Sequence, residues 1–464
     1  MAALSSPFDT VAAVSTPFGK GGVAVIRLSG ENAFRVAARV FVPLGGKSLT
    51  DHPPRTAVYG LVRDPEDGRT LDDALCTLFP APHSFTGEDV AEISCHGGVL
   101  VTRNVLEACL RGGARQALPG EFTRRAYLNG KMDLERAEAL GNLLDAGNDE
   151  QVKLARAGMN GLLTASAEEI YHDLMAVLAN MEAGMDFPEE DLTEMPPEEI
   201  RRALVTARSA LRRLVETYRT GHAIAEGIPT VICGRPNVGK SAFYNRLVGR
   251  EAAIVTSIAG TTRDILTDTV SLGRVTLRLS DTAGLRDSDD PVEMIGVERA
   301  RHAVEEAELV LILSEATGTD PEAEEMSVTL SRQGKTVIRV YTKQDLTSLP
   351  LPLPAERDGI PQVWVSSVTG DGFNTLRDTV ERVFIDRDLR MGEEAVVFSA
   401  RQAASLRETV ACLSTAVDSL DAGLPYDVCA DDVRAAMSEL GALCGRDMGE
   451  DVLTEIFSRF CVGK

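Results

Sequence analysis

Apolar residues recur along this chain in three rhythms. Between about 1 and 125, short β-rich stretches such as Val23-Ala24-Val25-Ile26 are punctuated by glycine turns at Gly19 to Gly22, Gly45-Gly46, Gly97-Gly98 and Gly112-Gly113. Strands with one or two helices among them follow, which is a compact α+β domain. From 126 to 220 the period lengthens. Ile170, Leu174, Val177, Leu178 and Met181 fall on one stripe of a helix, and Ile200, Leu204, Ala207, Leu211 and Leu214 repeat it. The same period returns within 380–464, at Leu406, Val410, Leu413, Val417 and Leu420 and then at Val433, Met437 and Leu440. Stripes on both sides of an interruption predict one helical bundle, discontinuous in sequence, whose apolar faces are core. The acidic run Asp186-Phe187-Pro188-Glu189-Glu190-Asp191 reads as a solvated turn between two of its helices.

The interruption, 221–379, alternates strands with helices. Ile228 to Cys233 reads as a buried strand, and Val275, Leu277 and Leu279 alternate with polar residues as in a half-buried one. Leu309 to Leu313, Val337 to Tyr341 and Val363 to Val365 are short apolar runs with helical spacers. This is the pattern of a mostly parallel sheet covered by helices.

Composition narrows the class. With 44% hydrophobic residues in 464, about three domains have enough apolar material for cores. No apolar run reaches the roughly 18 residues of a membrane span, and the start MAALSSPFDT lacks the basic and apolar blocks of a secretion signal. A soluble, cytoplasmic protein with no membrane association is the expectation. Eight cysteines without a C-x-x-C pair argue against a zinc ribbon or a disulfide framework. The net charge of −22 weighs against broad nucleic-acid binding but leaves room for a local basic groove.

The sharpest chemistry sits in the interruption. Gly234-Arg235-Pro236-Asn237-Val238-Gly239-Lys240-Ser241 matches G-x-x-x-x-G-K-[ST], after a strand and before a helix. In such a turn backbone N–H groups curl around phosphate oxygens, Lys240 reaches the β- and γ-phosphates, and the Ser241 hydroxyl holds Mg²⁺. Three further segments follow in the order a GTPase requires. Ile258-Ala259-Gly260-Thr261-Thr262-Arg263-Asp264 offers Thr262 to complete the Mg²⁺ shell. Asp281-Thr282-Ala283-Gly284 puts a carboxylate near the metal and a glycine N–H near the γ-phosphate. Thr342-Lys343-Gln344-Asp345 presents Asp345 to the N1–H and exocyclic amine of guanine, and Ser366-Ser367-Val368 closes over the base. Thr342 stands where Asn is usual. That side chain braces loops, so guanine selection is expected to persist through Asp345.

Hydrolysis needs a group to orient water, and Leu285 occupies the position where Ras-like enzymes carry Gln. Glu293 is the candidate, and from the residues alone a helix-start glutamate is an equal reading. Asn237 is placed to help bind a monovalent cation at the β–γ bridge, with oxygens from the loop at Thr256, Ile258 and Thr261. Such a cation offsets transition-state charge as an arginine finger does.

These motifs, with others outside the G segment, resemble the MnmE (TrmE) family of tRNA-modification GTPases over nearly the whole chain. The further motifs are Gly21 to Gly30, Phe85-Thr86-Gly87-Glu88-Asp89, Pro119 to Thr123, Ala126 to Leu134, Asp186-Phe187-Pro188 and the terminal Phe460-Cys461-Val462-Gly463-Lys464. The resemblance implies an N-terminal folate-binding and dimerisation domain (1–125), a helical domain in two parts (126–220 and 380–464) and an inserted Ras-like, doubly wound α/β G domain (221–379). It also implies a homodimer acting with an FAD-dependent MnmG (GidA) partner, in a heterotetramer or larger, on C5 of the wobble uridine of certain tRNAs. Aminomethyl or carboxymethylaminomethyl groups are added from 5-formyl- or methylene-tetrahydrofolate. By matching motifs Arg27, Glu88, Lys131 and Lys464 line the folate site, where the residues alone would read as surface ion pairs. The family tips Glu293 toward water orientation and adds K⁺ to Mg²⁺. Lys20, where Arg is commoner, and Ala242, in the GTP motif where Ser or Thr usually follows, depart from the pattern. Cys461 is open between a thiolate nucleophile and a structural cysteine. Two other classes compete: a ribosome-assembly GTPase, which predicts an RNA-binding module or second G domain after 380, and a GTP-binding scaffold without turnover.

Overall fold

Alternation of side chains across the N-terminal strands sorts them onto two faces of one sheet. The computed structural model describes residues 9–186, 195–251, 267–280, 302–347, 355–386, 388–446, 450–458, 460 and 462–463. By packing, the chain divides into two units, 1–141 with 444–464 and 142–443.

In the first unit β1 (Val11–Val14), β2 (Val23–Ser29), β3 (Phe41–Pro43), β4 (Val58–Arg63), β5 (Thr70–Phe79), β6 (Val90–His96) and β7 (Arg115–Gln116) form a seven-stranded sheet in the order β3-β4-β5-β6-β2-β1-β7. All pairings are antiparallel except β1 with β7. Ala24, Ile26, Leu28, Cys76 and Ile93 point to one face. There they meet Val36, Ala37 and Val40 of α1 (Ala33–Val40) and Val105 and Ala108 of α2 (Val99–Arg111) in a single core. The other face carries Arg27, Ser29 and Glu92 at alternate positions. α3 (Glu121–Leu128) and the start of α4 (Leu134–Asp145) follow. The C-terminal chain returns to this unit: Phe457 of α13 (Glu450–Ser458) and Phe460 pack with Leu134 and Ala137, and Val462 bridges Pro119. Gly463 is held by the Ser15 hydroxyl, which donates to its carbonyl at 3.0 Å. A Cβ at Gly463 would lie 2.0 Å from the Val14 carbonyl oxygen, so only glycine fits there.

In the second unit the apolar stripes are buried as their spacing requires. α5 (Asp149–Met159), α6 (Leu162–Asp186), α7 (Pro197–Ala225), α11 (Ala400–Asp421) and α12 (Tyr426–Leu443) pack together, with Leu174, Val177, Leu204, Leu211, Leu406, Leu413 and Leu440 inside. α7 starts with proline in its first turn and α11 with a Ser399–Gln402 capping box. The second sheet comprises β8 (Ile228–Gly234), β9 (Thr267–Leu272), β10 (Val275–Ser280), β11 (Leu309–Glu315), β12 (Thr336–Thr342), β13 (Ala355–Arg357) and β14 (Ile360–Trp364). Its order is β13-β14-β12-β11-β8-β10-β9, parallel inside and antiparallel at both edges. α8 (Lys240–Glu251), α9 (Pro321–Arg332) and α10 (Phe373–Phe384) accompany it. β10 is more buried than alternation implied. Lying between β8 and β9, it encloses Thr276 as well as Val275, Leu277 and Leu279.

One helix holds both ends of the inserted segment. α7 runs into β8, and its Thr220 hydroxyl donates to the Phe384 carbonyl at 3.1 Å while accepting from the Asp386 N–H at 2.9 Å. Thr217 accepts from the Val397 N–H at 3.0 Å. Gly221 lets the helix close on this returning chain, since a Cβ there would sit 2.1 Å from the Val397 carbonyl oxygen.

Candidate functional site

The phosphate loop is built where β8 stops. Gly234 takes φ 150° and backs onto β11, with a built Cβ only 2.5 Å from the Leu313 carbonyl oxygen. Asn237 follows in the left-handed region at φ 65° and Gly239 at φ 93°, which curls the backbone before α8 begins at Lys240. Val238 plugs the loop into the core; Asn237, Ser241 and Ala242 are exposed at its rim. The Lys240 ammonium donates to the carbonyls of Gly234 and Arg235, both at 2.8 Å. Burial pulls its pKa below the ordinary lysine value, and among the described residues no carboxylate pairs with it. The Ser241 hydroxyl, in the first turn of α8, is a hard oxygen of the kind that Mg²⁺ accepts as a ligand.

The segment expected to read guanine is tied to that loop. β12 ends at Thr342, whose buried hydroxyl lies 2.6 Å from the Val238 carbonyl and 3.2 Å from the Ser314 carbonyl, sharing one proton between them. Bracing of the phosphate loop, the role expected of Asn at this position, is thus performed by threonine. Lys343, also left-handed at φ 58°, donates to the Asn237 carbonyl at 2.8 Å and pairs with Glu315 at the end of β11. Two left-handed residues are therefore fastened to each other across the site. Ser366, buried past the end of β14, donates to Asp345 Oδ1 at 2.6 Å and accepts from the Thr369 N–H at 3.1 Å, which orients the exposed carboxylate. Ser367 is half-buried, and Val368 is 78% exposed. Arg235 reaches Asp320 and Glu322 at the head of α9, at 3.3 and 2.9 Å. Sequence reasoning did not name Glu315, Ser314 or Arg235 as supports; their only signal is their place at strand ends or within the loop.

Asn237, Val238, Gly239, Lys240, Ser241, Ala242, Thr342, Lys343, Asp345, Ser366, Ser367 and Val368 are thus placed at the ends of β8, β12 and β14 and the start of α8. Thr256, Ile258, Thr261, Thr262, Asp281, Thr282, Ala283, Gly284 and Glu293 lie outside the described residues, as do Cys461 and Lys464.

The first unit holds a second charged cluster. Arg27 pairs with Glu92 across β2 and β6 at 2.8 Å and lies over the rings of Phe85 and Phe122, 5.4 and 5.7 Å from their centres. Glu88 accepts from Ser29 at 2.7 Å and from Arg125 Nη1 at 3.0 Å. Lys131 donates to the Pro82 carbonyl at 3.0 Å, and its stem packs against Gly87, where an added Cβ would meet Lys131 Cγ at 3.2 Å. Arg27, Glu88 and Lys131 are brought to one side of the sheet through Ser29, Phe85 and Gly87.

Arg125 organises what lies beneath. It is nearly buried and bonds Glu121 and Glu88 as well as Asp9, whose Oδ1 it meets at 2.8 Å. Arg115 closes the ring with Asp9 and Glu121 at 2.5 and 2.6 Å. Burial alone would raise the Glu121 pKa, but hydrogen bonds from Arg115, the Leu118 N–H and Arg125 outweigh it and bring it below the ordinary value. Arg115 is raised, first by its bond to Glu121. Sequence reasoning missed Asp9, Arg115 and Arg125; Glu121 lay in a quoted motif without a role. Glu121 and Arg125 stand at i,i+4 on α3, a spacing the sequence does carry, but Asp9 is remote along the chain and has no local sign.

A strand running into a backbone-lined phosphate loop, braced through Thr342 to the segment whose aspartate presents its carboxylate two strands away, defines a P-loop protein of the GTPase class. Comparison with known proteins places it more narrowly. Residues 10–131 match the family described as GTP-binding protein TrmE N-terminus, and residues 134–461 the MnmE helical domain. A tRNA modification GTPase MnmE of Symbiobacterium thermophilum is 44% identical over 460 residues, covering 98% of this chain and 99% of that one. That of Moorella thermoacetica is 41% identical over 465 residues, with 98% and 99% covered. Among solved structures, the G domain of the T. maritima FeoB iron transporter aligns at 25% identity over 33% of this chain and 96% of that chain, with a TM-score of 0.25. The chain belongs to the tRNA modification GTPase MnmE family. Among the described residues no helix is long and apolar enough to cross a membrane.

Proposed function

We propose that this GTPase works in the cytoplasm as a homodimer with an FAD-dependent partner of the MnmG type, modifying C5 of the wobble uridine of certain tRNAs with a one-carbon unit from a tetrahydrofolate. The domain limits follow the sequence: 1–125 for folate and dimerisation, 126–220 and 380–464 for the helical domain, 221–379 for the G domain. The observation that carries the nucleotide part is the Thr342 bridge, which joins the phosphate loop to the end of β12, just before the turn that carries the guanine aspartate.

Backbone N–H groups of 237–242 cradle the β- and γ-phosphates, and Lys240 leaves its two carbonyl partners for phosphate oxygens. Asp345, oriented by Ser366, accepts from guanine. Ser241 and Thr262 hold Mg²⁺, which neutralises charge on the phosphates when bound. Asn237, with Thr256, Ile258 and Thr261, is assigned to K⁺, and Asp281 to Gly284 to the γ-phosphate side. Glu293 orients the attacking water. In the first unit Arg27 receives an anionic tail, Glu88 hydrogen-bonds the pterin, and Lys131 with Lys464 completes the folate site. The seating of Gly463 beside Ser15 supports this, because it brings the chain end to the unit that carries Arg27.

The test is a profile of modified nucleosides in tRNA from cells lacking the protein, beside phosphate release by the purified chain with Glu293→Ala. Loss of wobble modification and of turnover is expected. Unchanged wobble uridines would defeat the modification reading, and unchanged release the assignment of Glu293.

A further inference from the structure

We infer that the arginine row of α7 is a docking surface for the phosphate backbone of tRNA; the inference rests on the tRNA-modification reading above. In a chain of net charge −22, this one helix holds six arginines against three glutamates. Arg201-Arg202 and Arg212-Arg213 form two doublets. Their separation is three helical turns, about 16 Å along the axis, so both face the same way. The buried face of α7 is made by Ile200, Leu204, Ala207 and Leu211, which turns the doublets away from the core.

All four doublet side chains are exposed. Among the described residues no ion pair engages Arg202, Arg212 or Arg213. Arg201 pairs with Asp421 at 2.5 Å, but both side chains are nearly half exposed, and an exposed pair of this kind yields readily to a phosphate. Arg219 continues the Arg201–Arg212 line toward the end of the helix and is fixed there over Phe384 at 4.9 Å. Guanidinium groups grip phosphate oxygens in pairs, so doublets on a rigid helix give a polyanion two fixed points of attachment. The chain's net negative charge disfavours the same polyanion away from the arginines, which outnumber the glutamates two to one on this helix.

The test uses the full chain and an unmodified tRNA transcript, with binding read by fluorescence anisotropy across a series of KCl concentrations. With Arg212→Glu and Arg213→Glu together, affinity should fall about tenfold or more, and the slope of log K against log salt should flatten by roughly two. Arg212→Gln with Arg213→Gln should fall between wild type and the charge reversal. GTP hydrolysis and thermal unfolding should not change. If wild type binds tRNA and both double variants keep its Kd and slope, the row is excluded while the modification reading stands. If the variants lose a protein partner and keep tRNA, the row is likewise excluded. If wild type neither binds tRNA nor affects wobble uridine, both fall together.

Discussion

In the first unit Arg125 lies against three carboxylates, those of Glu121, Glu88 and Asp9; in the second, Lys240 lies against two carbonyl oxygens and, among the described residues, no carboxylate. In the Arg125 cluster two arginines, Arg115 and Arg125, meet three carboxylates, so its cations are fully engaged, act as structure and hold Glu88 in place. Lys240 keeps an uncompensated positive charge inside a partly buried loop, which depresses its pKa and leaves it disposed toward an anion. Of these two, the cation ringed by carboxylates is a support, and the one held by carbonyls alone is disposed to take an anion.

That contrast is open to direct attack. The largest effect is expected from Arg125→Met, which leaves the part-buried Glu88 without its arginine and the buried Glu121 with Arg115 alone: about 3 kcal/mol of stability should be lost from the first unit in urea unfolding. A loss below about 1 kcal/mol would mean that the cluster is not a support. Lys240→Ala should cost little stability but slow GTP hydrolysis roughly 10²–10³-fold, read by phosphate release. A destabilised protein with normal turnover would invert the distinction. Thr342→Val removes the hydroxyl between Val238 and Ser314 and leaves both carbonyls short of a partner, so GDP affinity should weaken about tenfold, measured by nucleotide displacement.

The smallest effect is a pair of opposite pH dependences. Glu121 has a folded pKa below its ordinary 4.5, so its contribution is present above that value and fades as pH falls through the depressed folded pKa. His222, in the last turn of α7, has a pKa raised above 6.5, first by Glu308 and then by Glu226, against burial and Arg278. Its contribution is complete below pH 6.5 and is lost as pH rises through the raised value. Hydrogen exchange followed in each unit should show protection declining toward acid around Glu121 and toward alkali around His222. Parallel trends in both would remove these two groups as the cause.

The two sites also differ in how far the sequence disclosed them. Gly234 to Ser241 is contiguous, and its glycines, lysine and serine sit at a spacing that only a curled loop between strand and helix satisfies, so the phosphate site was legible with its residues. The apolar stripes of α6, α7, α11 and α12 were legible for the same reason: a period of 3.6 belongs to the helix itself. Thr342 was legible as a departure, but its bond to Val238 joins residues far apart in the chain and had no local sign.

By itself the sequence determined the elements, the curled loop from Gly234 to Ser241, the aspartate expected to read guanine and the kinship that links them, because each is encoded over a few consecutive residues or a regular repeat. Only the tertiary structure decided that Asp9, Glu88, Arg115, Glu121 and Arg125 form one cluster, that Val462 and Gly463 return to the first sheet, and that Thr217, Thr220 and Gly221 clasp the chain where it leaves the inserted domain. Ion pairs and hydrogen bonds act over a few ångströms of space whatever the distance along the chain. Which of them form is therefore settled by packing.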